Sequence, residues 1–501
     1  MRLKFCLNCV ILLSVMQTSF GWRQFWKGRR TGGNVRVATA GNVPRFWFAP
    51  ITEWFDQLLD HFNTTNTATW KQRFYTNNAY YKPEGPVFLM IGGEGAATSD
   101  WMTDGAWVPY AKEHKALCFL LEHRFYGLSQ PTEDLSTENL VYLSSEQALA
   151  DLAYFIIAMK KKFNLNHDTK WIAFGGSYPG SLAAWLRLKY PHLVHGSISS
   201  SGPLQAKADF KEYFEVVKDS LGSHSDDCVT AVRKSIQQVE ILLKHRIGRT
   251  SLNDKFELCD PVENSIENPL DLSTLFESLA SNFARVVQYN DDFRHDNAEN
   301  DPMDIDDVCR IMVNSTIGTP VDRLAEVNRL LLMESGYTCL EYKYDKMLDE
   351  MRNTSWEGDA AYLGDRQWTY QTCTEFGFYQ TSGDKSLLFG NRFPLEFFIE
   401  QCKDIFGKQF DGKFLDKAIF RCNTNYGALD AETTNVIYIH GSIDPWHALG
   451  LTKAVNSQMP VIYINGTAHC ANMYDPADND LPQLKAARVE INKFIKNLIQ
   501  S

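Results

Sequence analysis

Short apolar runs alternate with helical patterns in the first half of the chain. Runs at residues 86–91 and 116–121 have the length and composition of buried strands. A helical pattern at 144–162 follows them, and an apolar run, a turn, a helical pattern and another apolar run then succeed one another between residues 171 and 199. Strands joined by crossover helices in this order are typical of a largely parallel sheet. The pattern therefore predicts an α/β fold.

The pattern changes in the middle of the chain. Long amphipathic helical patterns replace the strands there, and most of the cysteines lie in this stretch. Strand-like runs then return, and the chain closes with an amphipathic helix at 482–499. We therefore expect an α/β core in two parts, residues 45–204 and 431–501, with a helical domain inserted between them at 205–430.

Residues 1–21 have the pattern of a secretory signal peptide. Arg2 and Lys4 precede an apolar stretch of about a dozen residues, which is shorter than the roughly 20 needed to cross a bilayer. Residues 22–44 carry several basic residues among Gly and Thr, so we expect a flexible leader or a pro-segment there. We expect a secreted or lysosomal protein without stable membrane insertion.

Composition narrows the function classes. The chain is 44% hydrophobic and 22% charged over 501 residues, which is typical of a globular protein. Its 61 acidic residues exceed its 50 Lys and Arg residues, for a net charge of −11, so nucleic-acid binding is disfavoured. The sequence carries no zinc-binding, phosphate-loop or dinucleotide-binding signature, and we expect no metal and no cofactor.

Cysteines and glycosylation sequons agree with passage through a secretory pathway. Cleavage after residue 21 removes two of the 11 cysteines, and the odd number left predicts a free thiol, which we assign to Cys118 in an apolar run. The other eight cysteines allow up to four disulfides in an oxidising compartment. Asn-x-Ser/Thr sequons predict N-glycosylation at Asn63, Asn314, Asn353 and Asn465.

A serine lies in a glycine-rich turn between a predicted strand and a predicted helix. The turn, residues 175–180 (Gly-Gly-Ser-Tyr-Pro-Gly), looks like a nucleophile elbow, in which a strained serine projects its hydroxyl from the sheet. The common form is Gly-x-Ser-x-Gly, and here Pro179 holds the second glycine position. A glycine-rich turn without catalysis is the alternative. We predict Ser177 as a nucleophile.

A serine nucleophile needs a base to take its proton and an acid to orient the base. In this type of sheet the acid and then the base follow late strands. Asp444 follows the apolar run that ends at His440, and His469 follows the run that ends at Ile464. A turn aspartate before proline and a surface histidine are the alternatives, and His440 and His447 are the competing bases. We predict Asp444 as the acid and His469 as the base.

The oxyanion formed during acyl transfer needs backbone N–H donors. The N–H of Tyr178, directly after the predicted nucleophile, supplies one. The glycine-rich run at 92–95, after an early strand, is placed for the other, and we choose Gly93. A plain glycine-rich turn is the alternative there.

Six short segments carry a specific resemblance. They are Trp54-Phe55-Asp56-Gln57, Leu59-Asp60-His61-Phe62-Asn63, Trp70-Lys71-Gln72-Arg73, Glu122-His123-Arg124-Phe125-Tyr126-Gly127, Leu182-Ala183-Ala184-Trp185 and Asp444-Pro445-Trp446. Together with the Ser177 turn, they resemble the serine exopeptidase family that includes lysosomal Pro-Xaa carboxypeptidase, dipeptidyl peptidase II and the thymus-specific serine protease. Residues 92–95, Phe125 and Cys470 resemble the thymus-specific branch most.

The resemblance implies an α/β-hydrolase core, a helical cap that shapes the pocket, and cleavage after proline. It also implies the roles already predicted for Ser177, Asp444 and His469. By the same analogy, the disulfides are expected to join Cys228 to Cys309, Cys259 to Cys339, Cys373 to Cys402 and Cys422 to Cys470.

We expect a secreted or lysosomal serine peptidase that acts on peptide chain ends through an acyl-enzyme. An esterase or lipase with the same triad is the first alternative, because this fold hosts many chemistries. A non-catalytic, secreted binding glycoprotein is the second. A peptide substrate is the expected partner, and a homodimer is left open.

Overall fold

The structure is a computed structural model of the chain, and it describes residues 52–290, 302–383 and 387–501. It also assigns the backbone of two short antiparallel strands, β1 (Phe25–Trp26) and β2 (Arg29–Arg30). The expected signal peptide, 1–21, lies outside the described residues, as does the rest of the expected leader, 22–44.

An eight-stranded sheet forms the centre of the fold, in the order β12-β11-β8-β7-β5-β6-β4-β3. Its strands are β3 (Thr52–Leu58), β4 (Thr69–Asn77), β5 (Val87–Ile91), β6 (Leu117–Leu121), β7 (Trp171–Gly176), β8 (Gly196–Ser200), β11 (Val436–Gly441) and β12 (Val461–Ile464). β4 pairs antiparallel with both β3 and β6, and the other pairs are parallel. Of the strands in this sheet, β3 and β4 are the ones that we did not predict.

Helices cover both faces of this sheet. They are α1 (Trp107–His114), α2 (Ser145–Lys162), α3 (Tyr178–Lys189) and α15 (Pro482–Gln500). Successive side chains of β5 point to opposite faces, so Leu89 packs in one cluster with α2 and α3, and Phe88 packs in another with α1 and α15. The predicted α/β-hydrolase fold class is confirmed.

Eleven α-helices lie between β8 and β11 in the described part of the chain. They are α4 (Glu212–His224), α5 (Asp226–Leu243), α6 (Arg246–Phe256), α7 (Pro269–Gln288), α8 (Ile305–Val313), α9 (Pro320–Glu334), α10 (Tyr344–Arg352), α11 (Asp359–Tyr362), α12 (Asp365–Gln371), α13 (Leu395–Phe406) and α14 (Gly412–Tyr426). Two short parallel strands, β9 (Lys207–Asp209) and β10 (Gly377–Tyr379), pair in this region. We call residues 205–430 the insert. Its boundaries stay a prediction, because its buried side chains join those of the sheet in one hydrophobic cluster.

Short single-turn helices complete the described chain. They are Ser99–Met102, Leu140–Tyr142, Val262–Ser265, Thr372–Phe376, Ala428–Asp430, Pro445–Leu449 and Ala471–Met473. Among the described residues, no helix is both long and apolar enough to cross a bilayer.

Three disulfides lie within the insert, and the fourth expected one is absent. Cys228–Cys309, Cys259–Cys339 and Cys373–Cys402 are bonded. The expected Cys422–Cys470 bridge is wrong, because both residues are buried free thiols in separate surroundings. Cys422 lies on α14 beside a groove lined by Ser145 and Tyr426, whereas the Cys470 sulfur lies 4.0 Å from the carbonyl oxygen of Ser200 on β8.

Cys118 is buried in β6 and is free, as expected for a small side chain in a core strand. The described chain thus holds three free thiols where the sequence predicted one.

Candidate active site

Ser177 lies between the end of β7 and the start of α3. Its backbone has φ 64° and ψ −136°, which is uncommon for a residue other than glycine. The Ser177 N–H donates to the carbonyl oxygen of Ser200 on β8 at 3.0 Å, and this bond ties the turn to the sheet. A serine in such a strained turn after a strand is typical of a nucleophile elbow.

Crowding explains the two glycines before Ser177. A Cβ at Gly175 would lie 2.0 Å from the carbonyl oxygen of Pro179, and a Cβ at Gly176 would lie 2.1 Å from the sulfur of Met473. Both distances are far shorter than a carbon's contact distance. A larger residue at position 175 would displace the backbone of the turn, whereas one at position 176 would first displace the side chain of Met473.

The departure from Gly-x-Ser-x-Gly has a structural reason. The close approach of helix to sheet occurs at Gly180, where a Cβ would lie 2.5 Å from the carbonyl oxygen of Ser200. Pro179 falls in the first turn of α3, where its missing N–H costs no helical hydrogen bond. The glycine requirement is therefore met one residue later than in the common form.

Asp444 and His469 meet beyond the carboxyl ends of β11 and β12. Nδ1 of His469 lies 2.8 Å from Oδ1 of Asp444, and both side chains are buried. The same carboxylate oxygen accepts the backbone N–H of Trp446 at 3.0 Å. When Nδ1 carries the proton, the lone pair is on Nε2, which has no hydrogen-bond partner within the described residues. In that tautomer, Nε2 of the buried imidazole is available to accept a proton.

The pKa values of this pair follow from the contact. Burial alone would lower the pKa of His469, but the carboxylate of Asp444 outweighs burial and raises it well above its ordinary value. Burial alone would raise the pKa of Asp444, but His469 holds it below its ordinary value. Asp444 therefore stays ionised and stabilises a proton on His469.

The two competing histidines lie elsewhere. His440 is buried at the end of β11, and burial lowers its pKa to about 4. Its ring packs against Gly450, where a Cβ would lie 2.2 Å from the ring. His447 is half-buried, with its ring 5.4 Å from that of Tyr463. Among the described contacts, neither ring hydrogen-bonds to Asp444.

The two candidate oxyanion donors differ in their setting. Gly93 lines the same pocket as Ser177 and packs closely on Pro179, where a Cβ would lie 2.5 Å from the ring. Tyr178 is the first residue of α3, so its N–H belongs to the amino-terminal donors that a helix leaves without an internal partner. Both residues therefore lie beside Ser177, and their role as oxyanion donors stays a prediction.

A buried ion pair anchors the loop that carries Gly93. Arg73 on β4 and Glu122 after β6 form this pair. Oε1 of Glu122 also accepts the N–H of Ala97 at 2.9 Å, and Nη2 of Arg73 donates to the carbonyl oxygen of Ala97 at 3.0 Å. Two residues of the segments that carry the family resemblance therefore hold this loop in place.

A second buried ion pair joins the sheet edge to α2. Nε and Nη2 of Arg124 each donate to Asp151 at 2.6 Å, and Nε2 of His61 lies 2.8 Å from the same carboxylate. Bidentate pairing of this kind is strong and fixes geometry. Arg124 and His61, which also belong to the resembling segments, thus act in the scaffold.

Sequence reasoning missed a polar network behind Tyr178. The phenol oxygen accepts Nε2–H of Gln371 at 3.1 Å and lies 3.0 Å from Nε2 of His123. Gln371 also donates to Glu375 at 3.2 Å, and burial raises the pKa of Glu375 to about 7. Gln371 and Glu375 lie in the insert, almost 200 residues from the turn, and no motif marks them.

Within the described ranges, no group of three or more His, Cys, Asp or Glu side chains is placed to hold a metal ion.

Comparison with known proteins identifies the family. The family described as serine carboxypeptidase S28 matches residues 57–491. A Caenorhabditis elegans protein named as a serine protease is 37% identical over 94% of this chain and 93% of its own. The human thymus-specific serine protease is 34% identical, covering 88% of this chain and 85% of its own. Human lysosomal Pro-X carboxypeptidase is 26% identical, covering 89% and 88%. The chain belongs to the serine carboxypeptidase S28 family and is a serine-type peptidase.

Proposed function

We propose that this serine-type peptidase cuts short peptides at a chain end, after proline, by means of Ser177, His469 and Asp444. The observation that carries the proposal is the buried Asp444–His469 hydrogen bond, which leaves Nε2 of the imidazole unengaged. Ser177 stands at the end of a strand of the same sheet, in a strained turn. A nucleophile, a base and an orienting acid are the parts that acyl transfer requires.

The reaction proceeds in two halves. The Ser177 oxygen attacks the peptide carbonyl carbon while Nε2 of His469 takes the hydroxyl proton, and the N–H groups of Tyr178 and Gly93 stabilise the oxyanion. His469 then gives this proton to the leaving amine, and an acyl-enzyme remains. A water molecule attacks the ester in the second half, with His469 again as base, and the free acid leaves.

The insert supports a preference for proline. Aromatic side chains of the insert pack against the loop that carries Asp444. The rings of Phe210 and Phe378 lie 5.6 and 5.4 Å from the ring of Trp446 in that loop. Such apolar rings suit the ring of proline, which has no N–H to satisfy. The name of one relative, lysosomal Pro-X carboxypeptidase, points to the same residue.

Secretion or lysosomal delivery is part of the proposal. The three disulfides are typical of an oxidising compartment. The asparagines of the four sequons, Asn63, Asn314, Asn353 and Asn465, are all exposed. Exposure is what glycosylation at these positions requires.

The test is a digest of peptide libraries that carry proline at varied positions, read by mass spectrometry. We expect cleavage after proline near a chain end, and a loss of about 10⁶-fold in kcat with Ser177→Ala, as removal of a triad nucleophile produces. Ser181→Ala is the matched control, because it removes a buried hydroxyl one turn further along α3.

Labelling of Ser177 by a fluorophosphonate tests the nucleophile without a peptide. Labelling together with hydrolysis of acyl esters, but of no peptide, would refute the proposed substrate. Turnover by Ser177→Ala at the wild-type rate would refute the proposed nucleophile. Release of an amino-terminal dipeptide or of one carboxyl-terminal residue tells which chain end is cut.

A further inference from the structure

Gln288, the last residue of α7, contacts the two loops that carry Asp444 and His469, the proposed acid and base. Its backbone carbonyl oxygen accepts the N–H of His469 at 3.0 Å. Its side-chain Oε1 accepts Nε1–H of Trp446 at 2.9 Å and the hydroxyl of Tyr213 at 2.7 Å. Gln288 and Trp446 are 158 positions apart in the chain, so these bonds form only when the insert packs on the sheet.

Trp446 connects this glutamine to the acid. The Trp446 backbone N–H donates to Oδ1 of Asp444, the same oxygen that lies 2.8 Å from Nδ1 of His469. The carboxylate is therefore fixed by a residue whose indole is itself held by Gln288. The base is held by Gln288 directly, through the backbone.

The sheet holds these two loops at other points. The N–H of Ile443 donates to the carbonyl oxygen of Thr467, and the N–H of Cys470 donates to the hydroxyl of Ser201. Neither bond involves His469 itself or the Trp446 indole. Those groups are buried, and a buried N–H without an acceptor costs about 1–3 kcal/mol. Gln288 supplies both acceptors from one fully buried residue.

We propose that Gln288 is a positioning residue that makes the geometry of Asp444 and His469 depend on the insert. The inference rests on the proposed function of that pair. It predicts that the insert sets the catalytic rate of the acid–base pair as well as the shape of the pocket. A displacement of about 1 Å at such a pair costs about 100-fold in rate.

The test compares Gln288→Leu with Gln288→Glu in the full-length protein. Leucine keeps most of the volume but removes the acceptor, and we expect kcat to fall about 10- to 100-fold with KM changed less than about threefold. The fluorophosphonate labelling rate of Ser177 should fall by a similar factor, with every folded molecule still labelled at the end. Glutamate keeps an acceptor oxygen and should restore most of the kcat.

Asn328→Leu is the matched control. Asn328 is also a buried amide of the insert, with bonds to Asn282 and to the carbonyl oxygen of Phe256. We expect it to lower Tm as Gln288→Leu does but to leave kcat and the labelling rate unchanged. Wild-type kcat in Gln288→Leu, with a Tm loss equal to that of the control, would show that Gln288 only stabilises the fold and would overturn the inference.

Trp446→Phe extends the test if Gln288→Leu does not fold. It removes the indole donor and keeps the backbone N–H that binds Asp444, so we expect a fall in kcat of about 10-fold, again without a matching change in KM. Unchanged kcat in Trp446→Phe would overturn the inference. Retained turnover in Ser177→Ala would instead overturn the proposed function, so the two failures are distinguishable.

Discussion

At the scale of single residues, the buried pair of Asp444 and His469 governs how the site responds to pH. The carboxylate raises the pKa of His469. In the proposed mechanism, His469 must be neutral to accept the proton of Ser177. Raising this pKa means that the neutral base appears only at higher pH. The contact with Asp444 therefore makes His469 a stronger base, and we expect lower enzymatic activity at acidic pH.

We expect kcat/KM of the wild-type protein to rise with pH through a midpoint above about 6.5, the ordinary pKa of histidine. In Asp444→Asn the charge that raises the pKa of His469 is absent, so the midpoint of the residual activity should move to lower pH. The rate itself should fall by about 10⁴-fold, because the imidazole loses its orienting partner. Fixed-time peptide-cleavage assays across the pH range, with active sites counted by fluorophosphonate labelling, measure both the midpoint and the rate.

Asp430→Asn, an exposed substitution shortly before β11, is the control and should change neither quantity. If the pH midpoint of kcat/KM in Asp444→Asn equalled that of the wild type, Asp444 would not be the cause of the raised pKa of His469.

At the scale of elements, β4 is a strand that the hydrophobic pattern of the sequence does not predict. The strand buries Gln72 and Arg73, and both are polar, so the apolar period that marks the parallel strands is missing. Their burial is made favourable by partners distant in sequence, since Gln72 donates to the carbonyl oxygen of Glu122 and Arg73 pairs with its carboxylate. The strands β5 and β6 were predictable, because their uniformly apolar sequences indicate burial without any knowledge of which residues they contact.

The buried pair of Arg73 and Glu122 should matter for stability far more than an exposed pair. Glu122→Gln leaves the Arg73 charge buried without a counter-charge, and we expect a loss of about 3–5 kcal/mol in the free energy of unfolding. Activity should also fall, because the same carboxylate anchors the loop of Gly93. Urea unfolding with intact disulfides gives the stability, and the peptide digest gives the activity.

Asp56→Asn is the comparison variant, since Asp56 pairs with Lys71 on the neighbouring strand and both side chains are more than half exposed. It should cost about 0.5 kcal/mol or less. If Glu122→Gln and Asp56→Asn lowered the free energy of unfolding equally, burial would not be the reason that the Arg73–Glu122 pair contributes more to stability.

At the scale of the whole molecule, buried ionisable groups make the stability depend on pH in two opposing ways. Burial raises the pKa of Glu375 to about 7 and that of Glu350 to about 8, so their stabilisation is complete below the ordinary pKa of glutamate and is lost as pH rises. Burial lowers the pKa of His123 and His440 to about 4, so their stabilisation is present above the ordinary pKa of histidine and is lost as pH falls. Above about pH 6.5 the two glutamates lower the stability as pH rises, and His469, whose pKa is raised, changes it in the same direction.

We therefore expect Tm to decrease between about pH 6.5 and 8. Glu375→Gln and Glu350→Gln should each flatten this decrease, because a glutamine has no proton to lose. Glu357→Gln, at an exposed position, should leave it unchanged. Thermal unfolding followed by circular dichroism at constant ionic strength is the measurement, and a Tm that rises across this window would contradict the assignment.

The sequence by itself determined the class of the fold, because parallel strands buried on both faces appear as uninterrupted apolar runs. It also marked Ser177, Asp444 and His469 as candidates, because a strained serine turn and the ends of late strands carry local patterns. Three disulfides followed from the resemblance, whereas Cys422 and Cys470 did not pair, because their separation in space depends on how the insert packs. Only the tertiary structure placed Gln288 against both loops of the site and Gln371 behind Tyr178. These contacts join residues far apart in the chain, and a hydrogen bond of that kind leaves no periodic trace in the sequence.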